Sequence, residues 1–198
     1  MSLFELDFPV MGAAGRLVLA DRVAGPHASP RLQHAAADAR ALLADLERRW
    51  TRFDAGSDLN RLTGDPRHVL AAHEHVGALI RAGAWAGRVS GGLVDMTLGA
   101  QIAQVGYDGH WTGETAPLPE ALAAAPPRAA ASPHPAARWQ VLGVDRRAGT
   151  IRRPPGVVLD SGGLGKGLAA DLVAARLVGL RFVVDIGGDL AVGHGGGG

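Results

Sequence analysis

Apolar and polar residues alternate from Leu3 to Val10, with Phe4, Leu6 and Phe8 set against Leu3, Glu5 and Asp7. A period of two predicts a half-buried β-strand. Met11-Gly12 ends it, and Arg16 to Ala20 (RLVLA) predicts the return strand of a hairpin. The period then lengthens. Leu32, Ala35, Ala39, Leu42, Leu46 and Trp50 recur every three to four residues, which predicts one long helix ending near Trp50. Ser29 is placed to cap it, and Pro30 suits its first position, where the missing N–H has no helical partner to lose. Thr51 to Asp65 is polar and predicts a connection carrying Phe53. Val76, Leu79, Ile80, Ala84 and Trp85 predict the buried face of a second helix running from about Pro66 or Val69 to Val89. On such a helix His73 and His75 stand two residues apart, so they point to different faces and do not chelate together. Both are expected to be solvated.

Ser90 to Gly99 (SGGLVDMTLG) predicts a glycine-containing turn with Asp95 and Thr97. Pro117 to Pro135 is rich in Pro and Ala and predicts a surface connection, with at most a short helix at Glu120 to Ala125. Trp139 to Val144, Thr150 to Arg152 and Val157 to Leu159 predict three strands, with a turn at Asp145 to Gly149. After a further helix, Arg181 to Ile186 predicts a β-branched buried strand, turned by Gly187-Gly188 into Asp189 to Val192. No internal repeat is visible.

The stretch from Val157 to Leu177, VVLDSGGLGKGLAADLVAARL, carries the clearest candidate chemistry. A short apolar strand ends at Asp160. Gly162, Gly163, Gly165 and Gly167 let the backbone turn tightly and approach another group closely. Leu168, Leu172, Val173 and Leu177 at helical spacing predict a helix from about Leu164. A helix N-terminus offers unpaired N–H groups to a phosphate, and Lys166 adds a full positive charge there. On the residues alone, a plain strand–turn–helix corner accounts for the glycines equally well. A P-loop is excluded because Gly167 follows Lys166 where Ser or Thr is required. A dinucleotide fingerprint is excluded because the glycines are out of register.

Composition narrows the classes. Twenty basic residues face 19 acidic ones, for a net charge of +1, which argues against a nucleic-acid partner. Lys166 is the sole Lys, every other cation being Arg. There is no Cys, so disulfides and thiolate metal sites are excluded. No run reaches the ~18 apolar residues that a membrane span needs. The N-terminal MSLFELDFPVMG shows neither a basic n-region nor an apolar h-region, so a cytoplasmic protein is expected. The Ala, Gly and Arg content is that of a GC-rich bacterial gene.

Four separated motifs occur in order: FPVMG at Phe8 to Gly12, TRFDAGSDLNRL at Thr51 to Leu62, SGGLVDMTLG at Ser90 to Gly99, and LDSGGLGKGLAAD with VVDIGGDLAVG between Leu159 and Gly193. Each is weak alone. Together the ordered set, covering nearly the whole chain, resembles the FAD:protein FMN transferases, the ApbE family of flavin-trafficking enzymes. The resemblance implies an α+β fold, a mixed or antiparallel sheet packed with two to three long helices, and FAD bound in a cleft as substrate. It implies a Mg²⁺-dependent transfer of FMN from FAD to a Thr or Ser of an acceptor protein, with release of AMP. Family acceptors include FMN-binding subunits of ion-pumping quinone reductases.

Residue by residue, the resemblance implies flavin contacts from Met11, from Phe53 in place of the usual Tyr, and from Leu93, Val94 and Asp95. It implies an adenine-side contact from Asp160, a metal-binding carbonyl at Gly163, and a charged catalytic and substrate-binding residue at Lys166. Read without the resemblance, Asp95, Asp160 and Asp185 are turn or helix caps. With it, Asp95 and Asp160 become site residues and Asp185 stays structural.

The chain departs from the family pattern at Thr63, where the family has Asn, and at Val105-Gly106-Tyr107-Asp108, where it has a W-G-F-G-like stretch. The family also continues well past the glycine-glycine turn, through a segment that supplies the side-chain Mg²⁺ ligands. Residues 1–198 are therefore expected to be a single ApbE-like domain lacking its C-terminal portion. A non-catalytic FAD-binding module and an inert fragment stand as the alternatives to an active transferase.

Overall fold

A computed structural model describes residues 2–21, 29–109, 117–125 and 130–194. The expected Pro- and Ala-rich connection lies partly outside them, at 126–129. Strands β1 (Ser2–Val10) and β2 (Ala13–Asp21) form the expected antiparallel hairpin, in register from Ser2 opposite Asp21 to Val10 opposite Ala13. Phe8, Val10, Leu17 and Leu19 are buried on one face, while Glu5 and Asp7 face out and pair with Arg16. The turn needs two left-handed residues, Met11 (φ 50°) and Gly12 (φ 70°), the geometry whose twist matches a two-residue hairpin. Met11 has no glycine's freedom, and its N–H is held by Glu47 Oε1 at 3.0 Å.

Helix α1 (Pro30–Trp50) is capped by Ser29, whose side chain accepts from the Leu32 N–H. Its apolar stripe of Leu32, Ala36, Ala39, Leu42, Leu43, Leu46 and Trp50 packs on β1 and β2. The polar connection after it contains an unexpected helix, α2 (Asp58–Gly64), capped by buried Ser57 and anchored by buried Leu59 and Leu62. Strand β3 (Val69–Ala71) occupies the place assigned to the start of the second helix, which begins later as α3 (Glu74–Val89). Val76, Leu79 and Ile80 of α3 are buried, but Trp85 faces solvent.

Two short helices follow, α4 (Gly99–Gln104) and α5 (Leu118–Ala124), the latter where a short helix was expected. A 3₁₀ turn at Arg138–Val141 replaces most of the strand predicted from Trp139. That turn sets the Trp139 ring directly over Gly87 of α3, where an added Cβ would lie 2.6 Å from the indole. Only β4 (Gly143–Asp145) remains as strand, beside β5 (Thr150–Arg152). Val157 to Leu159 joins no sheet. It is extended and pairs instead with the glycine-containing turn: Gly99 N donates to Val158 O at 3.0 Å, and Asp160 N to Met96 O at 2.8 Å.

Helix α6 (Gly165–Ala174), β6 (Arg181–Ile186) and β7 (Asp189–His194) complete the described chain. The architecture is α+β with two antiparallel sheets, ordered β1-β2-β6-β7 and β3-β5-β4. α1 and α6 cover the first sheet, and α3 covers the second. Among the described residues no helix is long and apolar enough to cross a membrane.

The pairing of Gly99 with Val158 leaves no room for a side chain, since an added Cβ would lie 2.8 Å from both Val158 O and its Cγ1. Backbone cannot step aside as a flexible side chain can. Gly99→Ala is expected to cost roughly 1–3 kcal/mol by overpacking, read as a lower urea midpoint. An unchanged midpoint would show that the two segments separate freely.

Candidate functional site

The C-terminal end of α1, the β1–β2 turn and the N-terminal turn of α6 meet at one cleft of about 200 Å³. Met11 and Gly12 form one wall, with Glu47, Trp50, Thr51, Arg52 and Phe53 behind them. Tyr107, Asp160 to Gly162, Gly165 and Lys166 close the rest. Ser161 ties two of these segments together, its hydroxyl donating to Trp50 O at 2.9 Å.

Asp160 sits at the junction. Its side chain is largely buried, with Oδ1 accepting from the Gly162 N–H at 2.8 Å and Oδ2 from Arg52 Nε at 2.6 Å. Arg52 also donates to Tyr107 O. Its guanidinium lies 4.4 Å from the Phe53 ring centre and 4.9 Å from that of Tyr107. The two rings themselves meet edge to face at 5.7 Å. A cation over the π-faces of two aromatic rings is held electrostatically, so Arg52 is fixed from both sides. Lys166 has no ion-pair partner among the described residues, and the helix it opens has no side-chain cap. The cleft therefore presents an unneutralised ammonium beside free helix N–H groups, an arrangement suited to an anion.

A second cleft adjoins the first through Asp160. Leu93, Val94, Asp95, Met96, Gln101, Ile102 and Gly163 line it, a mainly apolar wall with a few polar atoms. Asp95 Oδ1 accepts from the Thr97 N–H at 2.8 Å and from its hydroxyl at 2.6 Å. Asp95 Oδ2 and Gln101 Oε1 are buried without a partner. Buried unpaired acceptors carry a desolvation cost that a donor from a ligand would relieve.

The structure thus brings Met11, Phe53, Asp160 and Lys166 to one cleft and Leu93, Val94, Asp95 and Gly163 to the next, with Asp160 common to both. Asp95 and Asp160 also bond turn N–H groups, so capping and lining coexist in the same side chains. Asp185 accepts from the Gly188 N–H at 2.8 Å and is a turn residue, as expected. Arg52, Tyr107, Glu47 and Gln101 were not anticipated. Arg52 stands beside Phe53 in the second motif and Tyr107 is the chain's one Tyr, but neither fact says what the side chain pairs with.

The expectation for His73 and His75 is overturned. His73 lies outside the helix as its N-cap, accepting from the His75 N–H at 3.2 Å, so helical spacing does not separate the two. Their ring centres are 4.8 Å apart. His73 is exposed as expected, but His75 is not simply solvated, since its Nδ1 lies 2.9 Å from Asp45 Oδ2. Desolvation, with the Arg49 charge, pushes the His73 pKa below its usual value.

Hydrogen bonding from Arg49 holds the Asp45 carboxyl well below its ordinary 3.8, helped by His75 and Arg48. Folded Asp45 thus releases its proton more readily than unfolded Asp45. Its contribution is full above about pH 4 and is lost as pH falls, because the unfolded chain takes up the proton first. Asp45→Asn is expected to flatten the acid side of a melting-temperature profile between about pH 5 and pH 2. Equal acid slopes in both chains would contradict this.

Comparison with known proteins follows the same outline. The sequence profile of the ApbE family matches residues 11–197. The apo structure of the Pseudomonas stutzeri flavinyl transferase ApbE superposes with a TM-score of 0.71 at 23% identity, covering 96% of this chain and 60% of that one. The Thermotoga maritima ApbE protein gives 0.70 at 19% identity, covering 96% and 58%. The Vibrio cholerae flavin transferase ApbE gives 0.69 at 18%, covering 96% and 59%. The chain therefore spans about 60% of the length of these solved structures. No curated protein sequence matches it.

Proposed function

We infer the function from one premise: the chain belongs to the ApbE family. We propose that its residues 1–198 act as one flavin-transferase domain that binds FAD as donor and passes FMN to a Thr or Ser hydroxyl of an acceptor protein, releasing AMP. The observation that carries this reading is Asp160 shared by two adjoining clefts, one with Lys166 at the start of α6 and one mainly apolar. FAD has that shape: two ring systems joined by a diphosphate. Lys166 and the N–H groups of the first α6 turn suit the diphosphate. Phe53, with Met11 beside it, suits the face of a ring, and Asp95 with its unpaired oxygen suits a ring N–H.

In the proposed step the acceptor hydroxyl oxygen attacks the FMN-side phosphorus. The bond from that phosphorus to the bridging oxygen breaks, AMP leaves with that oxygen, and the hydroxyl proton passes to solvent. Charge accumulates on the phosphoryl oxygens, and Lys166 offsets it. Phosphoryl-type transfer relies mainly on such positioning and electrostatics.

Mg²⁺ favours near-octahedral oxygen ligation with one or two carboxylates. In the cleft around Gly163 the described residues offer its carbonyl, Asp160, whose two oxygens are already engaged, and Asp95 and Gln101, each with one unpaired oxygen. One free carboxylate oxygen and one amide oxygen fall short of a magnesium cage, and no step is derived through the ion. The same shortfall favours a second reading, an FAD-binding module without turnover.

The test is AMP release from FAD, with Mg²⁺ and an FMN-accepting protein present, together with flavin fluorescence retained by the acceptor after denaturation. Both signals are expected from the transferase. Saturable FAD binding with neither signal would select the binding module.

A further inference from the structure

Three metal-ligating side chains converge where neither cleft reaches. Asp45 projects from α1, His73 caps α3, and His75 lies in the first turn of α3. One ligand atom from each lies within 4.8 Å of the other two. None of the three lines either cleft around Asp160. We propose that Asp45, His73 and His75 form a binding site for a divalent transition-metal ion of the Zn²⁺, Co²⁺ or Ni²⁺ type, independent of any magnesium chemistry.

The donor set selects that class. Two imidazoles and one carboxylate suit Zn²⁺ and its neighbours, whereas Mg²⁺ takes oxygen ligands.

Two of the three are already positioned. Asp45 Oδ2 is held between Arg49 Nε at 2.7 Å and His75 Nδ1 at 2.9 Å. The His75 carbonyl accepts from Trp50 Nε1 at 3.1 Å, which fixes its backbone. His73 is the exposed member of the three, tethered by the hydrogen bond its Nδ1 accepts from the His75 N–H at 3.2 Å. Zn–N bonds of about 2.0–2.1 Å place tetrahedral ligand atoms about 3.3 Å apart. With all three ligand atoms within 4.8 Å of one another, a closing shift of at most about 1.5 Å forms the site, leaving the fourth position to water.

The opposing charges are identifiable. Arg48 and Arg49 both pair with Asp45, while Glu74 lies nearby with the opposite sign. Arg49 has a second partner in Asp58 at 2.5 Å, so it can give up part of its hold on Asp45. Arg48 is 58% exposed and can swing into solvent.

The experiment titrates the chelator-treated full chain with Co²⁺, read by visible absorption, and with Zn²⁺, read by calorimetry and melting temperature. One ion per chain is expected, with a tetrahedral Co²⁺ spectrum and a melting temperature raised by Zn²⁺. His75→Gln should weaken binding at least about tenfold. His73→Asn should do the same while keeping a side chain able to cap α3, which separates lost ligation from lost folding. Arg48→Ala, which removes a cation that competes for Asp45 while keeping all three ligand residues, should tighten binding. The proposal is overturned by absence of saturable one-to-one binding, by wild-type affinity in both histidine variants, or by an equal response to Mg²⁺.

Discussion

Asp160→Ala is expected to destabilise the chain by about 3–5 kcal/mol, the usual consequence of removing one partner of a buried ion pair. It is also expected to abolish saturable FAD binding. The Arg52 side chain is 7% exposed and that of Asp160 is 10%. Removing the carboxylate leaves a guanidinium enclosed by Phe53 and Tyr107 with its Nε–H unpaired. The Gly162 N–H loses its acceptor as well, a further cost of about 1 kcal/mol. Both losses fall where the two clefts join, so the glycine turn beneath the proposed diphosphate loses its anchor. Asp160→Asn separates the two effects. It preserves an acceptor for Gly162 and a neutral partner for Arg52, so it should recover part of the stability while FAD binding stays weak. Urea unfolding and FAD calorimetry on both variants give the result. Wild-type stability and wild-type binding in the Ala variant would contradict this account of Asp160.

Lys166→Ala is expected to reduce single-turnover AMP release by roughly 10²–10³-fold, the scale of one well-placed charge or donor at a transferring group. FAD affinity should change much less, because the α6 N–H groups and both aromatic rings remain. Lys166→Arg should not restore the rate. The Lys166 ammonium packs 3.3 Å from where a Cβ would stand on Gly187, beside the turn after β6. That space suits a compact point charge rather than a planar fork, which gives a physical reason for one Lys in a chain that otherwise uses Arg. An unchanged rate in the Ala variant would remove Lys166 from the chemistry.

The parts of the fold that could be read from the sequence are those whose pattern repeats several times. Helix α1, 21 residues long, presents its apolar stripe over more than five turns, and β1 alternates over nine residues. Helix α2 has seven residues and two buried Leu side chains, too little repetition to rise above a polar stretch. The segment from Val157 to Leu159 has the composition of a strand because it is buried. Its hydrogen bonds, however, go to the Met96–Gly99 turn, a partner that local sequence cannot specify.

The same distinction divides the site. Met11, Phe53, Asp95, Asp160 and Lys166 stand inside ordered motifs, so the family resemblance could name them. Arg52 could not be assigned, because its position depends on Asp160, 108 residues later. The apolar pattern alone starts the second helix too early, which puts His73 and His75 on different faces of it. With β3 at Val69–Ala71 and the helix starting at Glu74, the two rings fall side by side.

The measurement that bears most directly on the central claim is a titration of the wild-type chain with FAD, followed by flavin fluorescence, with AMP and FMN as competitors. Two adjoining clefts joined at Asp160 predict one FAD per chain. They also predict competition by AMP and by FMN, each binding more weakly than FAD because each fills only part of the site. Absence of saturable FAD binding by the folded chain, or indifference of bound FAD to both fragments, would contradict the claim that these clefts hold the two halves of a flavin dinucleotide.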